Sequence, residues 1–334
     1  MGSSHRLRTL SSSPLSPQLV EALKLFVADQ YELYKRSPLP PTMEPGSPIF
    51  RYTLLLFNCL LTFGSYFCFD MPTVLESEIE DQVVAKFTTE VSTWYTLFYT
   101  IYAWTNMCMA LVAGVLVDRI GARRSGFLFL SLCLLGASLF ALGASVLSWS
   151  GKTRYIVMFI GRFIFGLGGG SITIVQNAIT AKWFKGKELA FAFGCTLTIS
   201  RIGSVVNYDG TPAIYNTFEA AHPGHGLGIT LWFGAGLVTL GYLAMLGIVV
   251  MERRAEGTPE YEAMMAGSGG GGGDAKDAPP AKEELDESGN VRKRSCLADL
   301  RKMPATFWIV CLVITFFYNL VFPFQVPSTQ LAND

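Results

Sequence analysis

The chain is poor in charge, almost without histidine, and has no cysteine pairing. Only 16% of its 334 residues are Asp, Glu, Lys or Arg, against about 25% in an average soluble globular chain. The formal net charge is zero, which excludes the basic field that nucleic-acid binding requires. Of the seven Cys, Cys59, Cys108, Cys133, Cys195 and Cys311 lie inside apolar runs, and no loop pairs two of them. That is neither a disulfide framework nor a metal-ligand spacing; these cysteines read as small apolar packing residues. The His are His5, His222 and His225, and the last two carry no metal-ligand pattern around them. There is no P-loop lysine motif, no cofactor fingerprint and no nucleophile beside a base. No cofactor, no metal and no catalysis are therefore expected. No Asn is followed two positions later by Ser or Thr, so acceptor sites for N-linked sugar are missing as well. The first 50 residues lack the apolar core and cleavage site of a signal peptide.

What the chain has instead is apolar sequence, half of all residues. A bilayer core takes roughly 20 apolar residues per spanning helix, and seven stretches meet or approach this. They run over Tyr52–Phe69, Trp94–Val117, Ser125–Leu147, Tyr155–Ala181, Leu189–Val206, Gly228–Met251 and Thr306–Phe324. The expected fold class is an all-α membrane protein embedded in a lipid bilayer: a six-helix half over 51–251 and a seventh helix at 305–325.

The connecting segments divide by charge. Asp118, Arg119, Arg123 and Arg124 follow the second stretch, and Lys182, Lys185 and Lys187 follow the fourth. Lys35, Arg36 and Arg51 precede the first, and Arg253 and Arg254 follow the sixth. If the helices alternate, all of these share one side, whereas Glu76, Glu78, Glu80, Asp81 and Glu90 lie on the other. The positive side is the cytoplasmic one, which places the N-terminal tail, 1–50, in the cytoplasm. Within that tail Gln18–Tyr34 reads either as an amphipathic surface helix or as a partly ordered tail. Residues 252–304, with Gly269–Gly273 and a mixed-charge run, form a cytoplasmic linker expected to be disordered. A short polar tail, 326–334, follows the seventh helix.

Polar residues inside lipid need a reason. Four stretches carry them at helical spacing: Asn58, Thr62, Tyr66 and Asp70; Tyr95, Tyr99, Tyr102 and Asn106; Arg162, Gly166, Gly170, Thr173 and Asn177, with Gln176 beside them; and Gly194, Thr198, Arg201 and Ser204. Steps of three or four put each set on one face, and four such faces predict a shared hydrated cavity. For any single Thr or Asn, interhelical bridging is the better account; for the set, the cavity is. Arg201 stands out, because a guanidinium at mid-helix costs at least about 2.5–3.5 kcal/mol; its planar fork suits a substrate carboxylate, and equally a structural tie to carbonyls or to an acid on another helix. Gly166 and Gly170 give a G-x-x-x-G face for close helix packing rather than a nucleotide loop.

Gly114-Val-Leu-Val-Asp118-Arg119-Ile-Gly121-Ala-Arg123-Arg124 resembles the signature loop of the major facilitator superfamily. Phe67-Cys-Phe-Asp70-Met-Pro72, Gly161-Arg162-Phe-Ile-Phe-Gly166-Leu-Gly168-Gly, Trp183-Phe-Lys-Gly-Lys-Glu188-Leu and Arg201-Ile-Gly-Ser-Val-Val-Asn207 resemble its lysosomal dipeptide transporter family. The resemblance runs from Phe50 to Phe324 and implies a six-plus-six bundle truncated after its seventh helix. It implies uniport of dipeptides, or of related small carboxylates, out of the lysosome by alternating access, and a glycosylated lysosomal accessory membrane protein as partner. Arg201 matches the family's carboxylate clamp, and Tyr99, Tyr102 and Trp104 its aromatic segment. The family carries an acid where Gly170 stands here, so the amine partner passes to Asp70 or the tyrosines, or the substrate is another organic anion. Candidates for the solute site are thus Arg201, Tyr99, Tyr102, Trp104, Asn106, Asn177 and Tyr66; candidates for gating are Asp118, Arg119, Arg123, Arg124, Asp70 and Arg162. The alternatives are a non-transporting half-transporter scaffold or truncated isoform, and a homodimer that rebuilds the cavity from two halves.

Overall fold

In the computed structural model the described residues are 47–256, 258, 259, 261 and 262, together with 305, 306, 308–310, 312, 313 and 316. The candidate surface helix at 18–34, most of the linker expected at 252–304, most of the seventh helix and the polar tail lie outside them; residues 252–255 of that linker continue the sixth helix, and the described positions after 304 are helical.

Among the described residues six helices are long and apolar enough to cross a membrane: α1 (Pro48–Val74), α2 (Val91–Ile120), α3 (Ala122–Ser145), α4 (Gly151–Trp183), α5 (Lys187–Ala221) and α6 (Gly226–Ala255). Their ends follow from local chemistry. Ser47 caps α1 by accepting from the Phe50 N–H at 3.2 Å, with Pro48 at the first helical position, where no N–H is missed. The α2–α3 connection is Gly121 alone, at φ 86, a conformation that favours glycine. Asp118 and Arg119 thus end α2, and Arg123 and Arg124 begin α3. The α1–α2 connection is a helical turn, Glu76–Ile79, followed by a π turn, Glu80–Val84.

Two expectations are corrected. Helix α1 does not stop at Phe69 but runs through Pro72 to Val74; proline removes one hydrogen bond without ending a helix that its neighbours hold. Helix α5 does not stop at Val206 but continues to Ala221 through Pro212. The Thr211 hydroxyl donates to the Asn207 side-chain oxygen at 2.6 Å. Beyond the end of α5, Glu219 accepts from the Gly224 and Gly226 N–H groups at 2.6 and 2.9 Å.

Helices α3 and α4 form the most intimate pair. A methyl group at Gly136 would come within 2.7 Å of the Gly161 carbonyl, and one at Gly161 within 2.8 Å of the Gly136 carbonyl. Helix α1 packs on α4, α5 and α6, α3 also on α6, and α2 on α4. The least buried of the six are α2 and α5. Two apolar clusters fill the bundle. Toward the end that bears Glu76–Asp81 lie Phe67, Phe98, Phe140 and Phe165; toward the end that bears Arg123 lie Leu61, Phe129, Ile172 and Trp183. The boundary between them falls between Leu61 and Phe67 on α1 and between Phe165 and Ile172 on α4, and there the bundle opens.

Candidate functional site

At that level a cavity of about 380 Å³ lies among four helices. Helix α1 contributes Ser65, Tyr66, Phe69 and Asp70; α2, Tyr102 and Asn106; α4, Gly169, Gly170 and Thr173; α5, Arg201, Ser204, Val205 and Tyr208. The volume falls within the range of small-molecule sites. Three- and four-residue steps along each helix deliver these groups to one side.

Arg201 is the only basic residue in this lining and Asp70 the only acidic one. The Arg201 guanidinium lies 5.5 Å from the centre of the Tyr66 ring and makes no ion pair or hydrogen bond with any described residue. A charge in such a place is costly without a partner, and its free fork is open to a ligand carboxylate. Asp70 lies within electrostatic reach of both Arg201 and Arg162, with the Ser204 hydroxyl beside it.

Of the residues singled out from the sequence, Arg201, Tyr66, Tyr102, Asn106 and Asp70 come together here. Tyr99 stands behind this wall, with its hydroxyl 2.5 Å from the Thr73 hydroxyl. Arg162 is 3% exposed and does not line the cavity. It donates to the Phe69 carbonyl at 3.1 Å and lies 5.0 Å from the Phe140 ring centre and 5.7 Å from that of Tyr99. Trp104 is 62% exposed and lies outside the cavity. Asn177 is exposed too; its neighbour Gln176 is the buried member. Asp118, Arg119 and Arg124 are exposed at the basic end. Arg123 is anchored: its Nε donates to Glu252 at 2.6 Å, and Nη2 pairs with Glu256.

The sequence reading missed three features. Tyr208 lines the cavity one turn beyond Ser204; the spacing 201, 204, 205, 208 would have shown it had α5 not been ended early. Glu252 is buried and bonded to Arg123, to Lys182 Nζ at 3.0 Å and to the Trp183 indole N–H at 2.9 Å. Arg154 is buried and donates to the carbonyls of Gly143, Ala144 and Gln82. No group of three His, Cys, Asp or Glu that could hold a metal occurs among the described residues.

A sequence model of the Major Facilitator Superfamily matches residues 51–332. The chain belongs to that superfamily. Among its relatives is the lysosomal dipeptide transporter MFSD1 of Homo sapiens, 31% identical over 290 residues, which cover 86% of this chain and 55% of that protein. The MFSD1 of Pongo abelii matches to the same extent, and that of Danio rerio is 30% identical over the same length. The chain spans about half the length of these curated relatives. As in other members of the superfamily, the apolar helices make this a multi-pass membrane protein.

Proposed function

We infer that the cavity binds dipeptides or related small carboxylate solutes and that the protein carries them across the lysosomal membrane by uniport. The observation that carries this reading is Arg201, a guanidinium that faces a solute-sized cavity without an ion pair or hydrogen bond to any described residue. The ligand carboxylate meets Arg201; Asp70, the one acid in the lining, meets an ammonium. The aromatic faces of Tyr66 and Tyr102 add cation–π contact. The names of the relatives support both the solute class and the lysosomal membrane. The basic segments at one end support a cytoplasmic N-terminus. Alternating access moves the site from one side to the other about the bilayer midplane, and the exposed Asp118, Arg119 and Arg124 belong to the end that closes toward the cytoplasm.

The test is uptake of radiolabelled Gly-Gly into proteoliposomes holding the full chain. Wild type takes it up, and Arg201→Ala abolishes uptake while remaining monodisperse. Unchanged uptake in the variant overturns the clamp; no uptake by wild type overturns transport by this chain.

A further inference from the structure

The nearest atoms to the glycines of α4 that face α2 belong to side chains. A methyl group at Gly166 would overlap the Thr105 hydroxyl, and one at Gly169 would come 2.9 Å from the Tyr102 hydroxyl. At Gly170 it would overlap the side-chain amide of Asn106. Asn106 is therefore seated in the space that any side chain at 170 would take. Both residues line the cavity.

The Asn106 amide is half-buried and makes no hydrogen bond to any described residue. A solute that enters the cavity displaces water from this amide, and an amide left without a partner then costs free energy, so its natural partner is the solute itself. An amide side chain donates and accepts at once, the pattern that a peptide group complements. A charged end would be better served by Arg201 or Asp70, which share the same lining.

We propose that Asn106, seated on Gly170, is the specificity-determining residue of the site and reads the peptide group of the solute. The proposal rests on the carboxylate reading above and narrows it. The preferred solute has an amide between its ammonium and its carboxylate, and Gly170 is needed because a larger residue would expel the amide that reads it.

The discriminating pair of probes is Gly-Gly and 5-aminopentanoate, which have the same charged ends and the same number of intervening atoms but differ in the peptide group. Binding is measured by calorimetry on the full chain in lipid nanodiscs. Wild type is expected to favour Gly-Gly by about tenfold, the loss that accompanies one or two unmade hydrogen bonds. Asn106→Ala should bring the ratio near one by lowering the affinity for Gly-Gly more than that for 5-aminopentanoate. Gly170→Ala should do the same by displacing the amide, and serves if the first variant misfolds. A ratio that persists in both variants, or a loss shared equally by both probes, overturns the proposal. If wild type binds both probes alike and Arg201→Ala binds neither, the clamp stands and the amide reading falls. If wild type binds neither, both fall.

Discussion

Asn58 and Gln176 each bond the other's backbone. The Asn58 amide donates to the Gln176 carbonyl at 3.1 Å, and the Gln176 amide donates to the Asn58 carbonyl at 2.8 Å. Thr180 accepts from Asn58 at 2.8 Å, and Thr62 accepts from Gln176 at 3.0 Å. The Thr62 and Ser200 hydroxyls, 2.7 Å apart, extend the seam to α5. Three helices are thus joined by buried polar groups beside the cavity, and Arg201 is the residue next to one end of the seam. A wholly apolar contact would allow α1 and α5 to slide; a satisfied network fixes their register.

Gln176→Leu is expected to lower stability by about 1–3 kcal/mol, the range for leaving buried partners unsatisfied. Asn58→Leu combined with it should cost less than the sum of the two single changes, because they share one network. Thermal unfolding of the purified chain in detergent measures both. Strict additivity would show that the seam does not act as a unit.

Glu252 joins Arg123, Lys182 and Trp183 in one buried cluster. Glu252→Gln leaves two cations without their shared carboxylate and should cost about 3–5 kcal/mol, as the breaking of a buried pair does. Adding Lys182→Met should restore part of the loss, since a buried cation is costly mainly when unpaired. The same unfolding assay decides, with Arg124→Gln, at an exposed position of the same end, as the near-neutral control.

Two glycine substitutions should differ in sign. Gly161→Ala places a methyl group 2.7 Å from the Phe140 nitrogen and 2.8 Å from the Gly136 carbonyl, so α3 and α4 must part, and stability should fall by about 1–3 kcal/mol. Gly114→Ala meets nothing within 4 Å and should gain about 0.5–1 kcal/mol from helix propensity. Unfolding midpoints of the two variants against wild type test the contrast.

Glu80, in the π turn between α1 and α2, has one carboxylate oxygen buried without a partner. Burial, helped by the neighbouring charges of Glu76 and Asp81, raises its affinity for a proton above that of an ordinary Glu. A carboxyl with a raised folded value stabilises the folded state fully at low pH and loses that contribution as pH rises through the raised value. Glu80→Gln should therefore stabilise the protein at pH ~7.5, and the difference should vanish below pH ~4. A pH series of melting temperatures reads it; a difference that grows toward acid would reverse the assignment.

Much of the architecture was legible because membrane helices obey a local rule. About 20 apolar residues and few charges suffice to mark a span, so six long helices stood where hydropathy put them. The ends were harder to place. The apolar stretches end at Phe69 and Val206, yet α1 runs on through Pro72 and α5 through Asn207 and Pro212. The cavity was legible as faces, through Tyr66, Asp70, Tyr102, Asn106 and Arg201, because a 3.6-residue repeat fixes which residues share a face. It was not legible as depth. Arg162 and Tyr99 share those faces but stand behind the wall, while Trp104 and Asn177 turn away.

By itself, then, the sequence determined that the chain enters a bilayer, where its spans lie and which helix faces carry polar groups, since each of these depends on residues close along the chain. Only the tertiary structure decided the partners. It gave Arg123 and Lys182 to Glu252, tied Asn58 to Gln176, left Arg201 without an ion pair or hydrogen bond among the described residues, and laid the Asn106 amide on Gly170. Those pairings join residues 64 to 129 positions apart, and no local periodicity specifies which helix a polar face will meet.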